Sequence, residues 1–323
     1  MRVLVTGSTS MIGKHVVHHL LARGDQVTTL QRSASGISNV AEIRGSITDF
    51  DAVAEAVSGQ DAVVHLAAKV DIMGDYEDFV AVNVEGTVNL ISAAREAGVT
   101  RFVHTSTPSV AHGGESIAGA GASPADPGST SGHYATTKAM AEKLALAEST
   151  DEMPIVAIRP HLVIGPGDTQ LVERILDRAR SGRLPLIGSG LALVDATWVD
   201  NAADALVAAV DQCPNLGGKA LVVSNGEPRT VHELIARITD AAGVEWGPSR
   251  VPSKVAIVGG RLIEKIWETT GRTDEPPMTG FAAEQFSTAH WFDQRETREA
   301  LAWTPAIRLA EGWKVLANHY GTV

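Results

Sequence analysis

The segment Tyr134-Ala135-Thr136-Thr137-Lys138 sets a phenol and an ammonium four residues apart. On a helix that spacing puts both on one face, one turn from each other. A lysine beside the phenol makes the ionised form of Tyr134 less costly. A free tyrosine titrates near ~10, so proton transfer near neutral pH needs such help. The same spacing also arises on solvated helices, and only its place in the chain separates the two cases.

Two further stretches carry chemistry. Gly7-Ser8-Thr9-Ser10-Met11-Ile12-Gly13 follows the apolar run Arg2–Thr6 and opens a helix from about Met11 to Arg23. In a strand, glycine turn, helix order, the backbone comes close to a pyrophosphate and the helix N-terminus supplies amide donors to it. Ser10 stands where the pattern usually has its middle glycine. It still offers an N–H and a hydroxyl but leaves less room for a phosphate. After the second strand, Gln26–Leu30, comes Gln31-Arg32-Ser33. A turn that prefers NAD usually carries an acidic residue there, on the ribose hydroxyls. A neutral amide, an arginine and a serine suit the 2′-phosphate of NADP, with a surface loop charge as the other reading of Arg32.

The alternation of strands and helices continues. Glu42–Arg44 reads as a short strand, and Asp49 caps a helix to Val57. Ala62–Ala68 reads as a strand ending in small residues, and a long helix runs from Tyr76 to Ala97. Arg101–Thr107 is the next strand, followed by a Gly-, Ala-, Ser- and Pro-rich loop from Pro108 to Gly132, then the helix of Tyr134 and Lys138. Ligands of open parallel sheets sit at the carboxyl ends of the strands. Ala67, Ala68 and Thr107 therefore share a rim with Gly7.

The chain has 323 residues, 44% hydrophobic and 20% charged, with 27 Lys and Arg against 38 Asp and Glu, a net charge of −11. That composition suits a globular protein with a large core and argues against nucleic acid as a partner. The single cysteine, Cys213, excludes an intrachain disulfide framework and a thiolate metal site, and beside Pro214 it reads as structural. His15 and His19, i and i+4 with His18 between them, read as a solvated or partly packed helix face rather than a metal pair. No spacing points to a metal. The start of the chain shows no basic and hydrophobic leader, and no apolar run is long enough to span a bilayer. The expected location is cytoplasmic, with peripheral membrane contact left open.

These motifs together resemble the extended branch of the short-chain dehydrogenase/reductase superfamily. They are Thr6-Gly7 to Gly13, His65-Leu66-Ala67-Ala68, Asn83 in Val82-Asn83-Val84-Glu85-Gly86-Thr87, Thr105-Ser106-Thr107, Tyr134-x-x-x-Lys138, and Arg159-Pro160 through Gly165-Pro166-Gly167. More narrowly the chain is similar to the 3β-hydroxysteroid dehydrogenase-like group, and within it to OleD-type 2-alkyl-3-oxoalkanoate reductases of bacterial long-chain olefin biosynthesis. His104–Val110, Val223–Pro228 and Glu284–Trp291 carry that closer likeness.

The resemblance implies an α/β fold: a Rossmann doubly wound parallel sheet with a smaller, mostly helical C-terminal substrate domain. It implies a catalytic trio of Thr107 (Ser106 as second choice), Tyr134 and Lys138. Hydride from the nicotinamide reduces a ketone, Tyr134 protonates the oxygen, Thr107 donates a hydrogen bond, and Lys138 binds the ribose and lowers the Tyr134 pKa. The implied cofactor is NADP(H), with NAD(H) second. It lies against Gly7, Thr9, Ser10, Met11, Ile12 and Gly13, against Arg32, Ser33 and Ile47, against Leu66, Ala67 and Ala68, and against Thr105, Tyr134, Lys138, Pro160 and Val163. The implied substrate is a 2-alkyl-3-oxoalkanoic acid. Rival functions on this fold are a sterol dehydrogenase, a nucleotide-sugar epimerase or dehydratase, and an NADP-sensing protein that is not an enzyme. A homodimer and association with olefin-pathway enzymes are compatible with the resemblance.

In the second half, Ile155–Arg159 reads as a strand, Leu171–Arg180 as a helix, Ala192–Val199 as a strand leading into a helix to Asp211, and Leu221–Val223 as a late strand of the sheet. The cofactor domain is expected at 1–165 plus about 193–225, and the substrate domain at about 166–192 plus 226–323. Pro252–Thr269 shows one apolar helical face: Val255, Ile257, Val258, Leu262, Ile263, Ile266 and Trp267. Glu275–Phe281 follows it. A hydrophobic substrate wall, a partner or membrane surface, and plain core are the three readings, with Trp291 and Phe292 behind. His112 and His133 are expected in loops, and His161 near the nicotinamide or substrate.

Overall fold

The structure, a computed structural model, describes residues 1–321 apart from 72, 271 and 273–275, and of Glu268 only the backbone. Glu275 and the last two residues of the chain thus lie outside the described residues. Seven strands form one parallel sheet: β1 (Arg2–Thr6), β2 (Gln26–Gln31), β3 (Ala41–Arg44), β4 (Ala62–His65), β5 (Arg101–Thr105), β6 (Ile155–Pro160) and β7 (Ala220–Val223). Their order is β7-β6-β5-β4-β1-β2-β3.

The apolar runs of the central strands follow from burial on both faces. Side chains alternate across a strand, so Val3 and Val5 enter one core while Leu4 enters another. The first core is covered by α1 (Met11–Ala22) and, later in the chain, by the helix from Val199; the second by α2 (Phe50–Val57) and by the helices between Tyr76 and Ala147. The helix expected over Tyr76–Ala97 is built as α3 (Tyr76–Phe79), a π-helical segment Val80–Glu85 that carries Asn83, and α4 (Gly86–Glu96). Next comes α5 (His133–Ala147), so His133 opens a helix rather than lying in a loop.

β4 and β5 stop short of the expected ends. Residues 66–68 and 106–107 are rim loops. The 108–132 loop holds a short strand, Ile117–Ala120, which joins a second sheet in the order Arg229–Thr230, Leu193–Val194, His290–Phe292, Ile117–Ala120. The strand expected over Ala192–Val199 is split. Leu193–Val194 belongs to that second sheet, and Thr197–Trp198 pairs with Val163–Ile164. Between them Asp195 turns its carboxylate to the Ser224 hydroxyl at 2.6 Å.

The remaining helices are α6 (Val172–Arg180), α7 (Val199–Gln212), α8 (Val231–Ala241), α9 (Ser253–Thr270), α10 (Gly280–Gln285), α11 (Arg295–Leu301) and α12 (Leu309–Tyr320). Side chains of α6, α8 and α12 share a core with Trp198. α11 returns to the main sheet, where the Thr297 hydroxyl donates to Val222 O at 2.8 Å. The 253–270 segment does not present one apolar face. Ala256 and Gly260 are buried, Ile257, Ile263 and Trp267 are half-buried, and Val255, Val258, Leu262 and Ile266 point to solvent. Trp291 packs against Gly119 and Phe292 against His161, so neither backs α9.

His15 Nδ1 lies 2.9 Å from the Asp200 carboxylate, and Asp200 followed by Asp204 raises His19 to about 9. Cys213 is buried, and burial pushes its thiol up to about 11. Among the described residues no helix is long and apolar enough to cross a membrane, and no cluster of three or more His, Cys, Asp or Glu could hold a metal ion.

Candidate active site

The carboxyl ends of β1 to β6 form one rim. Gly7 there has φ +70, and a Cβ on it would lie 2.8 Å from Ala67 N. A Cβ on Gly13 would lie 2.3 Å from Gly7 O. Both positions therefore accept only glycine, and together they hold the turn close under the start of α1. Ser10 is the N-cap of α1. Its hydroxyl donates to Gly7 O at 2.8 Å and accepts from Gly13 N at 3.0 Å. The hydroxyl that the sequence left available to a phosphate thus stitches the turn to itself. Thr9, Met11 and Ile12 flank it at the first turn of the helix.

Behind the turn, Ser8 donates to Gln31 Oε1 at 2.6 Å, which fixes the amide at the end of β2. Arg32 and Ser33 follow on the exposed side, and Arg32 has no ion-pair partner among the described residues. Ile47 is buried against Gly86. The end of β4 is held by a proton-ordered chain. Ala67 N donates to Thr6 Oγ1 at 3.1 Å, and Thr6 lies 2.8 Å from His65 Nδ1. The Thr87 hydroxyl donates to Asn83 O at 2.7 Å and so accepts from His65 Nε2 at 3.0 Å. His65 therefore carries its proton on Nε2, and burial followed by the nearby Lys138 lowers it to about 3. Leu66, Ala67 and Ala68 are placed on the rim by this chain. Pro160 and Val163 stand at the end of β6 and just past it.

Tyr134 and Lys138 lie on α5 over the end of β5. The Lys138 ammonium donates to Thr105 O at 2.6 Å. Burial lowers Lys138 to about 8, with the Glu142 carboxylate acting the other way. Burial pushes Tyr134 up to about 12, and the Thr107 hydroxyl opposes that rise. The sequence assigned the lowering influence on Tyr134 to Lys138; here it comes from Thr107, because the ammonium is turned to the Thr105 carbonyl. Thr107 faces the same cavity as Tyr134, whereas Ser106 is buried away from it with an unpartnered hydroxyl.

Two residues that the sequence did not single out for the site hold α5 in place. Asn83 Oδ1 accepts from Lys69 N at 2.7 Å, and its Nδ2 donates to Thr137 Oγ1 at 3.0 Å. Glu142, one turn beyond Lys138, accepts from Arg159 Nε at 2.8 Å in a fully buried pair. Arg159 also donates to Ser123 O at 2.8 Å.

Tyr134 and Thr107 open on a cavity of about 340 Å³. Leu162, Leu171, Ile175, Leu184, Val194, Val231, Leu234, Phe281 and Phe286 give it apolar walls. Among the described side chains of α9 only Glu264 reaches it, so the apolar residues of 253–270 are not its wall. Arg174 and Arg178, one turn apart on α6, line it too, and Arg178 donates to Pro276 O at 3.5 Å. His161 and His290 line it as well. His290 Nε2 lies 2.7 Å from Gln285 O, which can only accept, so that nitrogen is protonated. His290 Nδ1 then accepts from His161 Nε2 at 3.0 Å, and the buried His161 Nδ1 is left an acceptor with no hydrogen-bond partner among the described residues. Burial holds both rings neutral, His290 at about 4. His112 borders them, with its ring 6.2 Å from that of His290.

Residues 3–224 match the model of the NAD dependent epimerase/dehydratase family. The chain belongs to that family. It is 39% identical to a 2-alkyl-3-oxoalkanoate reductase of Stenotrophomonas maltophilia (strain K279a), over 98% of both chains. A 2-alkyl-3-oxoalkanoate reductase of Shewanella oneidensis is 35% identical over 97% of this chain and 84% of its own. A 3 beta-hydroxysteroid dehydrogenase/Delta 5-->4-isomerase of Mycobacterium tuberculosis is 34% identical over 94% and 86%. Among solved structures, gox2253 superposes with a TM-score of 0.79 at 24% identity over 99% of this chain and 97% of its own. MoeE5 in complex with UDP-glucose and NAD gives 0.75 at 24% over 99% and 98%. These two share the fold. As a member of this family the chain is an NAD(P)-dependent oxidoreductase acting on a CH–OH group or the corresponding ketone.

Proposed function

We propose that the chain is an NADPH-dependent ketoreductase that converts a 2-alkyl-3-oxoalkanoic acid to the 2-alkyl-3-hydroxyalkanoic acid. The observation that carries this reading is the cavity itself. A hydroxyl pair suited to a ketone oxygen, Tyr134 and Thr107, shares an apolar chamber lined also by Arg174 and Arg178. A keto acid with alkyl branches has those three features: a ketone, apolar chains and a carboxylate. The names of the relatives at 39% and 35% identity point the same way. The place in long-chain olefin biosynthesis rests on the resemblance alone.

The rim fits a dinucleotide. Gly7 and Gly13 leave the space a Cβ would fill, and the first amides of α1 face it. Arg32 and Ser33 suit a 2′-phosphate, since Gln31 supplies no carboxylate to repel it. What NADPH supplies when bound is the hydride that reduces the ketone carbon. Tyr134 then gives its phenolic proton to the oxygen while Thr107 donates a hydrogen bond to it. A phenol held near 12 is fully protonated at neutral pH, as a proton donor must be. Lys138, held at the end of β5 by its bond to Thr105 O, would orient a ribose hydroxyl of the bound cofactor, and the Thr107 hydroxyl eases the loss of the phenolic proton. The apolar walls keep water from the keto acid, and the arginines hold its carboxylate.

The test is turnover of a long-chain 2-alkyl-3-keto acid with NADPH and with NADH, beside Tyr134→Phe, Arg32→Ala and Arg174→Gln. Tyr134→Phe is expected to lower kcat by on the order of 10²–10⁴. Arg32→Ala should raise KM for NADPH and leave NADH unchanged. Arg174→Gln should raise KM for the acid but not for the matching ketone without a carboxylate. Equal use of both cofactors by the parent enzyme would remove the Arg32 argument. Oxidation of a sterol with no turnover of the acid would replace the substrate.

A further inference from the structure

α9 is eighteen residues long and faces two ways. Its inner side is seated on α10. A Cβ on Gly260 would lie 2.5 Å from the Thr279 carbonyl carbon, so the helices touch backbone to backbone. Its outer side carries Val255, Val258, Leu262 and Ile266, exposed by 61, 66, 59 and 44%. At steps of three and four residues these form one stripe along the helix. Such a stripe of large apolar side chains is costly in water and marks a docking face.

Charge indicates what the face meets. The chain carries −11 overall, yet the described charges beside the stripe are cations. Lys254 and Lys265 are exposed on its flank and have no ion-pair partner among the described residues. Arg250, in the strand that leads to α9, is exposed likewise. Arg261 meets Glu284, and Glu264 turns inward to accept from Gly280 N at 3.1 Å. An apolar stripe flanked by lysines on an acidic protein complements an anionic, greasy surface. The position of the helix agrees. Through Glu264 and α10 it covers the apolar cavity, to which Phe281, Ala282 and Gln285 contribute.

We propose that the outer face of α9 docks the protein on an anionic lipid bilayer, with the helix lying in the interface and the cavity mouth held beside it. Val255, Val258, Leu262 and Ile266 enter the acyl boundary while Lys254 and Lys265 meet the lipid headgroups. The proposal does not need the ketoreductase reading, because binding is measured without turnover.

The experiment is sedimentation of the full chain with vesicles of phosphatidylcholine, with and without phosphatidylglycerol, beside a Val258→Ser/Leu262→Ser variant and a Lys254→Glu/Lys265→Glu variant. All four positions are exposed, and the thermal midpoint checks that the variants fold. The parent chain is expected to sediment with the anionic vesicles, less so at high salt. Each variant should bind them about tenfold or more weakly. No sedimentation with anionic vesicles overturns the proposal, and so does equal binding by parent and both variants. A parent dimer that the serine variant splits, without vesicle binding, overturns it too and gives the face to a second copy of the chain.

Discussion

Glu142 links stability and chemistry at a single residue. Its carboxylate is buried against Arg159 and also raises Lys138 against the effect of burial. Glu142→Gln leaves the Arg159 guanidinium buried without a counter-charge, a loss of about 3–5 kcal/mol. It also removes the one influence that raises Lys138, so Lys138 should lose its proton at a lower pH. The expected result is a lower denaturation midpoint together with an alkaline limb of kcat that moves to lower pH, read by urea unfolding and by a pH–rate profile. An unmoved limb in a folded variant would separate Glu142 from Lys138. Lys138→Met tests the opposite balance. The folded lysine sits near 8, below the 10.5 of an unfolded one, so between those values the unfolded chain binds more protons and stability rises with pH. Below about 8 burial of the cation is a standing cost. The variant should lose turnover and still gain about 1–3 kcal/mol at pH 7, which thermal unfolding beside activity would read. A less stable variant would mean that the bond to Thr105 O outweighs that cost.

At the scale of elements, the turn after β1 and the α5 helix were legible because their chemistry is local. Glycine positions and the Tyr134–Lys138 spacing can be counted along the chain, and a parallel strand buried on both faces reads as an unbroken apolar run. That Ser10 spends its hydroxyl on capping α1 could not be read there. What the sequence concealed depends on distant partners. Arg159 in a buried strand signals that a buried carboxylate exists, but not that it is Glu142. Arg174 and Arg178 are visible as one face of α6, yet nothing local says that this face lines a cavity. The two-residue strands of the second sheet are too short for a period. The apolar residues of α9 were read as one face because their division between α10 and solvent is set by Gly260, whose meeting with Thr279 is tertiary. The turn gives the clearest test. Gly13→Ala forces a Cβ to within 2.3 Å of Gly7 O, so the turn must open. Dinucleotide affinity is expected to fall by at least about tenfold, measured by fluorescence titration, while the cavity walls are untouched. Unchanged affinity would place the dinucleotide elsewhere.

At the scale of the whole molecule, the number of buried neutral histidines sets the acid limit. His65, His104, His161 and His290 are all buried. Burial lowers His65 to about 3 and His290 to about 4, and puts His104 and His161 well below their usual value. In the unfolded chain each takes a proton near ~6.5. As pH falls below that, the unfolded state binds protons that the folded state refuses, so stability is full above ~6.5 and drains towards pH 4. For His65 alone the loss at pH 4 is on the order of 3 kcal/mol. Asp195, which burial lifts to about 6, works the other way. The folded state protonates it earlier, so it returns some stability between about 6 and its unfolded value near ~3.9. His112 is buried and lowered in the same way, and burial raises Asp168 as it does Asp195. Five histidines outweigh two aspartates, and the protein should unfold on acidification between pH 6 and 4 with uptake of several protons. His104 makes this testable, because neither of its ring nitrogens has a hydrogen-bond partner among the described residues. His104→Phe removes a titrating group without breaking a hydrogen bond, so the acid midpoint followed by circular dichroism should shift to lower pH. A midpoint that does not move would mean that the acid limit lies with the carboxylates instead.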